Sequence, residues 1–144
     1  MFDIEGLAHR YADHEVLRVP HWRAAPGEHW LLLGDSGSGK TTLLHVLAGI
    51  LAPTEGEVRL AGQVLRALRG MQLDAFRGRH VGLVPQKLHL LSSLTALDNV
   101  RLAQYLAGLP DDAARAMDVL AALGVATMAR QRPAELSQGQ AQRV

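Results

Sequence analysis

Cysteine is absent from the 144 residues. That excludes a disulfide scaffold and any thiolate metal site, and it fits a cytoplasmic protein. Neither sign of charge is in excess: 15 Lys and Arg stand against 14 Asp and Glu, a net charge of +1. Nothing in that balance indicates a nucleic-acid surface or a basic membrane patch. No apolar stretch reaches the roughly 18 residues a membrane span needs. The longest, Leu43 to Ala52, is short and is broken by His45 and Gly49. The opening Met1-Phe2-Asp3-Ile4-Glu5 is acidic and lacks the basic start and apolar core of a signal peptide. Internal repeats and low-complexity segments are absent too. What remains is an ordinary globular composition, 48% apolar and 20% charged, long enough for one domain with a core.

The most informative stretch is Gly34-Asp35-Ser36-Gly37-Ser38-Gly39-Lys40-Thr41-Thr42, which fits the phosphate-loop pattern G-x-x-x-x-G-K-[ST]. The apolar run Trp30-Leu31-Leu32-Leu33 before it reads as a buried strand. The run Leu43 to Ala48 after it reads as a helix closed by Gly49. Gly37 and Gly39 let successive N–H groups turn inward toward phosphate oxygens. The helix that starts there adds the favourable potential of its N-terminus. Lys40 is placed to reach the outer phosphates, and the Thr41 hydroxyl to bind a bridging magnesium ion.

Elsewhere, Met1 to Tyr11 alternates as a strand, Ala12-Asp13-His14 is a turn, and Val16 to Trp22 is a second strand disturbed by Pro20. Ala25 to Glu28 and Pro53 to Gly56 are turns, and Glu57 to Leu60 is a half-buried strand. A short helix is expected around Met71 to Phe76, and a short apolar strand over His80 to Pro85. Thr95 to Asp98 is a capping box opening a helix that runs to about Ala107. Asp111 is expected to cap the next helix, closed by Gly124, and Ser137 to Gln140 is a second capping box. The seven histidines, at positions 9, 14, 21, 29, 45, 80 and 89, are scattered without metal-ligand spacing. The leucines of Lys87 to Leu94 are unusually apolar for a loop, and suit either core packing or a groove for a partner's helix.

Four features stand in one order: Tyr11, the loop Gly34 to Thr42, Gln86, and Leu136-Ser137-Gln138-Gly139-Gln140. The whole chain resembles the nucleotide-binding domain of ABC transporters, and the pentapeptide resembles that family's Leu-Ser-Gly-Gly-Gln signature with Gln138 in place of Gly. The segment Leu83 to Val100 looks most like the branch of lipoprotein-releasing and macrolide-exporting ATPases. The resemblance implies an α/β phosphate-loop fold of ABC type: a mixed sheet with antiparallel N-terminal strands around the loop's helix, plus a helical subdomain. It sets residues 1–86 as the nucleotide-binding core, 87–136 as the helical subdomain and 137–144 as the start of the signature helix. Tyr11 would stack on adenine, and Gly34 to Thr42 would hold the phosphates of ATP. Thr41 and Gln86 would bind Mg2+, with Lys40 and Gln86 catalytic. Ser137, Gly139 and Gln140 would face the gamma-phosphate on a second domain.

The implied partners are that second nucleotide-binding domain, in a homodimer or pseudo-dimer, and a transmembrane permease, which would hold the chain on the cytoplasmic, inner face of the plasma membrane; no nucleic acid is expected. The family's Asp-Glu strand end and switch His have no counterpart up to Val144. These residues alone are therefore expected to bind Mg-ATP incompletely and to hydrolyse it negligibly, as the N-terminal portion of a domain. A soluble ABC ATPase acting on nucleic acid or ribosomes, or a non-hydrolytic ATP-binding module, are the alternative readings.

Overall fold

A computed structural model describes all residues, 1–144. They fall into two compact units, Met1–Val81 and Gly82–Val144.

The first unit is built on an antiparallel sheet in the order β2-β1-β3-β4. Its strands are β1 (Phe2–Tyr11), β2 (His14–Ala24), β3 (Glu55–Leu60) and β4 (Gln63–Val64). Helix α1 (Lys40–Leu47) covers one face. Its Leu43 and Val46 pack with Ile4, Leu7, Val58 and Leu65, and Leu17, Val19 and Trp22 of β2 close over them. Ile4 and Leu7 both reach this core although three positions separate them, which a strict alternation forbids. The phase changes at Gly6, where φ is +57° and the β1–β3 register shifts between Glu5 and Ala8. The approach is so close that a Cβ on Gly56 would lie 2.3 Å from the Gly6 carbonyl oxygen. Pro20 is tolerated because β2 is an edge strand and the ladder has no pair opposite it.

Helix α2 (Met71–His80) ends this unit. It starts where the sequence suggested and runs one turn further, through His80. The expected strand over His80 to Pro85 is therefore corrected: His80 is helical, and Val81 to Pro85 is irregular.

The expected strand Trp30-Leu31-Leu32-Leu33 is corrected as well. These residues form no ladder, and Leu31 and Leu33 are 81% and 79% exposed. An all-apolar strand is stable only with neighbours on both edges and cover on both faces. Here β1 has both edges taken by β2 and β3, and no other strand lies beside the run.

The second unit holds α3 (Ala96–Leu106), α4 (Ala113–Ala122) and α5 (Gln138–Ala141). Leu120, Val125 and Ala129 form its core with Leu97, Val100 and Met117. Thr95 caps α3 as expected, its Oγ1 accepting from the Asp98 amide at 3.1 Å. The cap of α4 is Asp112, not Asp111: Asp112 accepts from the Arg115 amide at 2.9 Å. Asp111 is drawn away by Arg101, whose Nε lies 2.8 Å from it, and this holds the Asp111 carboxyl below its ordinary range.

Candidate functional site

The loop between β2 and α1 curls around one side chain. Lys40 Nζ donates to the carbonyls of Gly34 at 2.7 Å and Asp35 at 2.5 Å, and to Ser38 Oγ at 3.2 Å. The same three groups lie along the chain segment that the sequence predicts will wrap phosphates. Helix α1 begins at Lys40 with Gly39 as its N-cap, and no side chain caps it. The first amides of any α-helix have no partner inside the helix. At α1 those amides belong to Lys40, Thr41 and Thr42, so an anion is the natural cap.

Gly39 is fixed by more than turn geometry. It sits at φ +83°, and a Cβ there would lie 2.5 Å from the Val16 carbonyl oxygen. Val16 is the extra residue of a β-bulge: His9 pairs with Leu17 and Arg10 with Glu15, leaving Val16 unpaired. The bulge thus turns a strand carbonyl against the phosphate loop. No spacing in the sequence shows this contact.

Tyr11 forms the last pair of the β1–β2 hairpin, opposite His14. The residue is 53% exposed, and its ring meets the His9 ring edge to face, with centroids 4.8 Å apart. Beyond it, Glu15 accepts from Arg18 Nε at 2.8 Å and from Arg10 Nη2 at 3.2 Å. Those hydrogen bonds, Arg18's first, hold the Glu15 carboxyl down at about 2.

The remaining predicted residues lie in the second unit. Gln86 is exposed in a bend following Pro85. Ser137 and Gln140 cap α5 reciprocally: Ser137 N donates to Gln140 Oε1 at 2.8 Å, and Gln140 N to Ser137 Oγ at 3.3 Å. Gly139 is exposed within that short helix. The structure thus folds Gly34, Asp35 and Ser38 onto Lys40, and groups Ser137, Gly139 and Gln140 in one turn.

One cluster escaped the sequence reading. Asp3, Glu5 and His21 place possible ligand atoms within 4.8 Å of one another across β1 and β2. Arg23 and Arg59 are the cross-strand partners of Asp3 on that same face, and their charges oppose a cation there.

A Gly-rich loop wrapped on a lysine at the head of a helix, under an antiparallel sheet, is the build of a nucleotide-phosphate-binding domain. The profile of the ABC transporter family matches residues 17–144, and the chain belongs to that family. It is 41% identical, over its whole length, to the lipoprotein-releasing system ATP-binding protein LolD of Chromohalobacter salexigens, and spans 63% of that relative. It is 45% identical over 83% of its length to the macrolide export ATP-binding/permease protein MacB of Rhodopseudomonas palustris, covering 18% of it. Both belong to the branch the Leu83 to Val100 segment resembles. Among solved structures, the ATP-binding cassette MJ0796 in a dimeric post-hydrolysis state bound to ADP and Pi superposes with a TM-score of 0.88 at 28% identity. That match covers 99% of this chain and 66% of the cassette.

Proposed function

We propose that this chain is the phosphate-binding part of the ATP-driven subunit of an ABC transporter, of the kind that works with a separate or fused membrane permease. The observation that carries the reading is the loop Gly34 to Ser38 wrapped on Lys40 at the uncapped start of α1. Phosphate oxygens would replace the loop's own oxygens around the ammonium and accept from the free amides of α1 as its cap. Tyr11 would stack on the adenine ring. Thr42 would touch an inner phosphate. The Thr41 hydroxyl would hold Mg2+, which when bound neutralises charge on the transferred phosphoryl group.

Ser137, Gly139 and Gln140 would present the signature turn to ATP held by a second copy or a paired domain. ATP would then close the pair and hydrolysis reopen it, passing motion to a transmembrane permease that holds the chain on the inner membrane face. The similarity to LolD and MacB supports this, as does the dimeric cassette. The carboxylate that activates water in this family is expected in the length of the relatives that these residues do not span. The 144 residues alone should therefore turn ATP over negligibly.

Calorimetric titration with Mg-ATP tests the reading. Wild-type chain should bind, and Lys40→Ala should weaken binding at least tenfold. Undiminished binding by Lys40→Ala would overturn it.

A further inference from the structure

His9 is a buried titratable side chain that nothing in the phosphate chemistry uses. It is 5% exposed, and neither ring nitrogen has a hydrogen-bond partner. Burying a polar ring without satisfying it is unfavourable, so a strand position that only filled core would be better served by Leu or Phe. What His9 does touch is Tyr11, at 4.8 Å and 80° between ring planes, the edge-to-face arrangement aromatic rings prefer.

The two are neighbours on one face of β1, because the bulge takes its extra residue, Val16, from β2 and leaves β1 regular. One ring is buried and the other is half open to solvent. Beyond Tyr11 the chain turns at once through Ala12, which sits at φ +50°. The exposed ring is thus the last one before a tight turn, where a side chain is otherwise free to rotate.

We propose that His9 is a positioning residue for purine binding: its ring fixes the orientation of the Tyr11 ring, so that Tyr11 offers one face to a nucleobase already ordered. The inference rests on the reading of Tyr11 as the base-stacking residue. His9 itself makes no contact with the nucleotide, since both its nitrogens are buried. A pre-ordered ring gives up less rotational freedom when the base arrives. The phosphates, held by the loop around Lys40, are indifferent to it. The same hairpin is set against that loop by the Val16 carbonyl at Gly39, so base platform and phosphate cradle share one frame.

The test compares ATP with inorganic tripolyphosphate, which has the phosphates and no base, by NMR titration of the full chain. His9→Leu should weaken ATP roughly two- to tenfold, the range of one aromatic pair, and leave tripolyphosphate unchanged. His9→Phe should restore ATP affinity. Tyr11→Ala should show the same selective loss as His9→Leu or a larger one. If Tyr11→Ala loses ATP selectively and His9→Leu does not, the positioning role is wrong while the stacking reading survives. If Tyr11→Ala binds both ligands as wild type does, the stacking reading itself has failed. Should His9→Leu not fold, the wild-type chain still decides. His9–Tyr11 ring contacts and ring-current shifts on the Tyr11 protons are expected in its spectrum, and their absence would overturn the proposal.

Discussion

Single atoms decide much of the loop's behaviour. A methyl group at position 39 would have to occupy space 2.5 Å from the Val16 oxygen while holding φ near +83°. Gly39→Ala should therefore cost about 1–3 kcal/mol of stability and weaken Mg-ATP binding, both readable by thermal melts and calorimetry. Glu15 makes a different residue-scale prediction. Its folded pKa, about 2, lies below the roughly 4.3 of an unfolded glutamate. The stabilisation from its arginine partners is thus complete above the unfolded value and is lost as pH falls toward 2. Glu15→Gln should flatten the acid loss of stability in that window, and carbon-detected NMR titration of wild-type Glu15 should place its midpoint near the lower value. The glutamate is at the surface, so the effect is modest and falls with salt.

At the scale of elements, apolar content alone does not say what a segment becomes. Leu31 and Leu43 both read as interior from sequence, yet Leu31 is exposed and Leu43 is 4% exposed against Ile4 and Val58. Leu43→Ala should cost about 2–5 kcal/mol. Leu31→Ser should change stability by less than about 0.5 kcal/mol; chemical denaturation separates the two. The helices were legible because their signals are local. Thr95 caps α3 and Ser137 caps α5 from a span of four residues, as the sequence suggested. Strands were legible where they pair in hairpins, as β1 and β2 do. Trp30 to Leu33 and His80 to Pro85 were misread because a strand depends on neighbours that a local pattern does not contain. The Lys87 to Leu94 leucines stay partly open, Leu88 and Leu91 among them. What ties this loop down is polar and was not anticipated. Asn99 accepts from the Leu91 amide at 2.8 Å, and its Nδ2 donates to the Thr95 carbonyl at 2.9 Å. Asn99→Ala should cost about 1–3 kcal/mol and speed amide exchange at Leu91.

For the molecule as a whole, the family was legible from four short stretches in the right order, and the loop folded onto Lys40 most clearly of all, since its residues are consecutive. The coupling between hairpin and loop was not, because the Val16 carbonyl oxygen comes close enough to Gly39 to leave no room for a Cβ there only after the sheet has formed. That contact also bears on which changes of chain length the gene can absorb. Losing the single codon for Val16 would bring Glu15 and Leu17 into an unbroken ladder with Arg10 and His9, giving a flatter and more regular hairpin. It would also remove the carbonyl that braces the turn before α1. Shortening by one residue is thus expected to leave the hairpin at least as stable and the nucleotide site worse. A defect inherited through such a deletion would be one of binding in a protein that still folds.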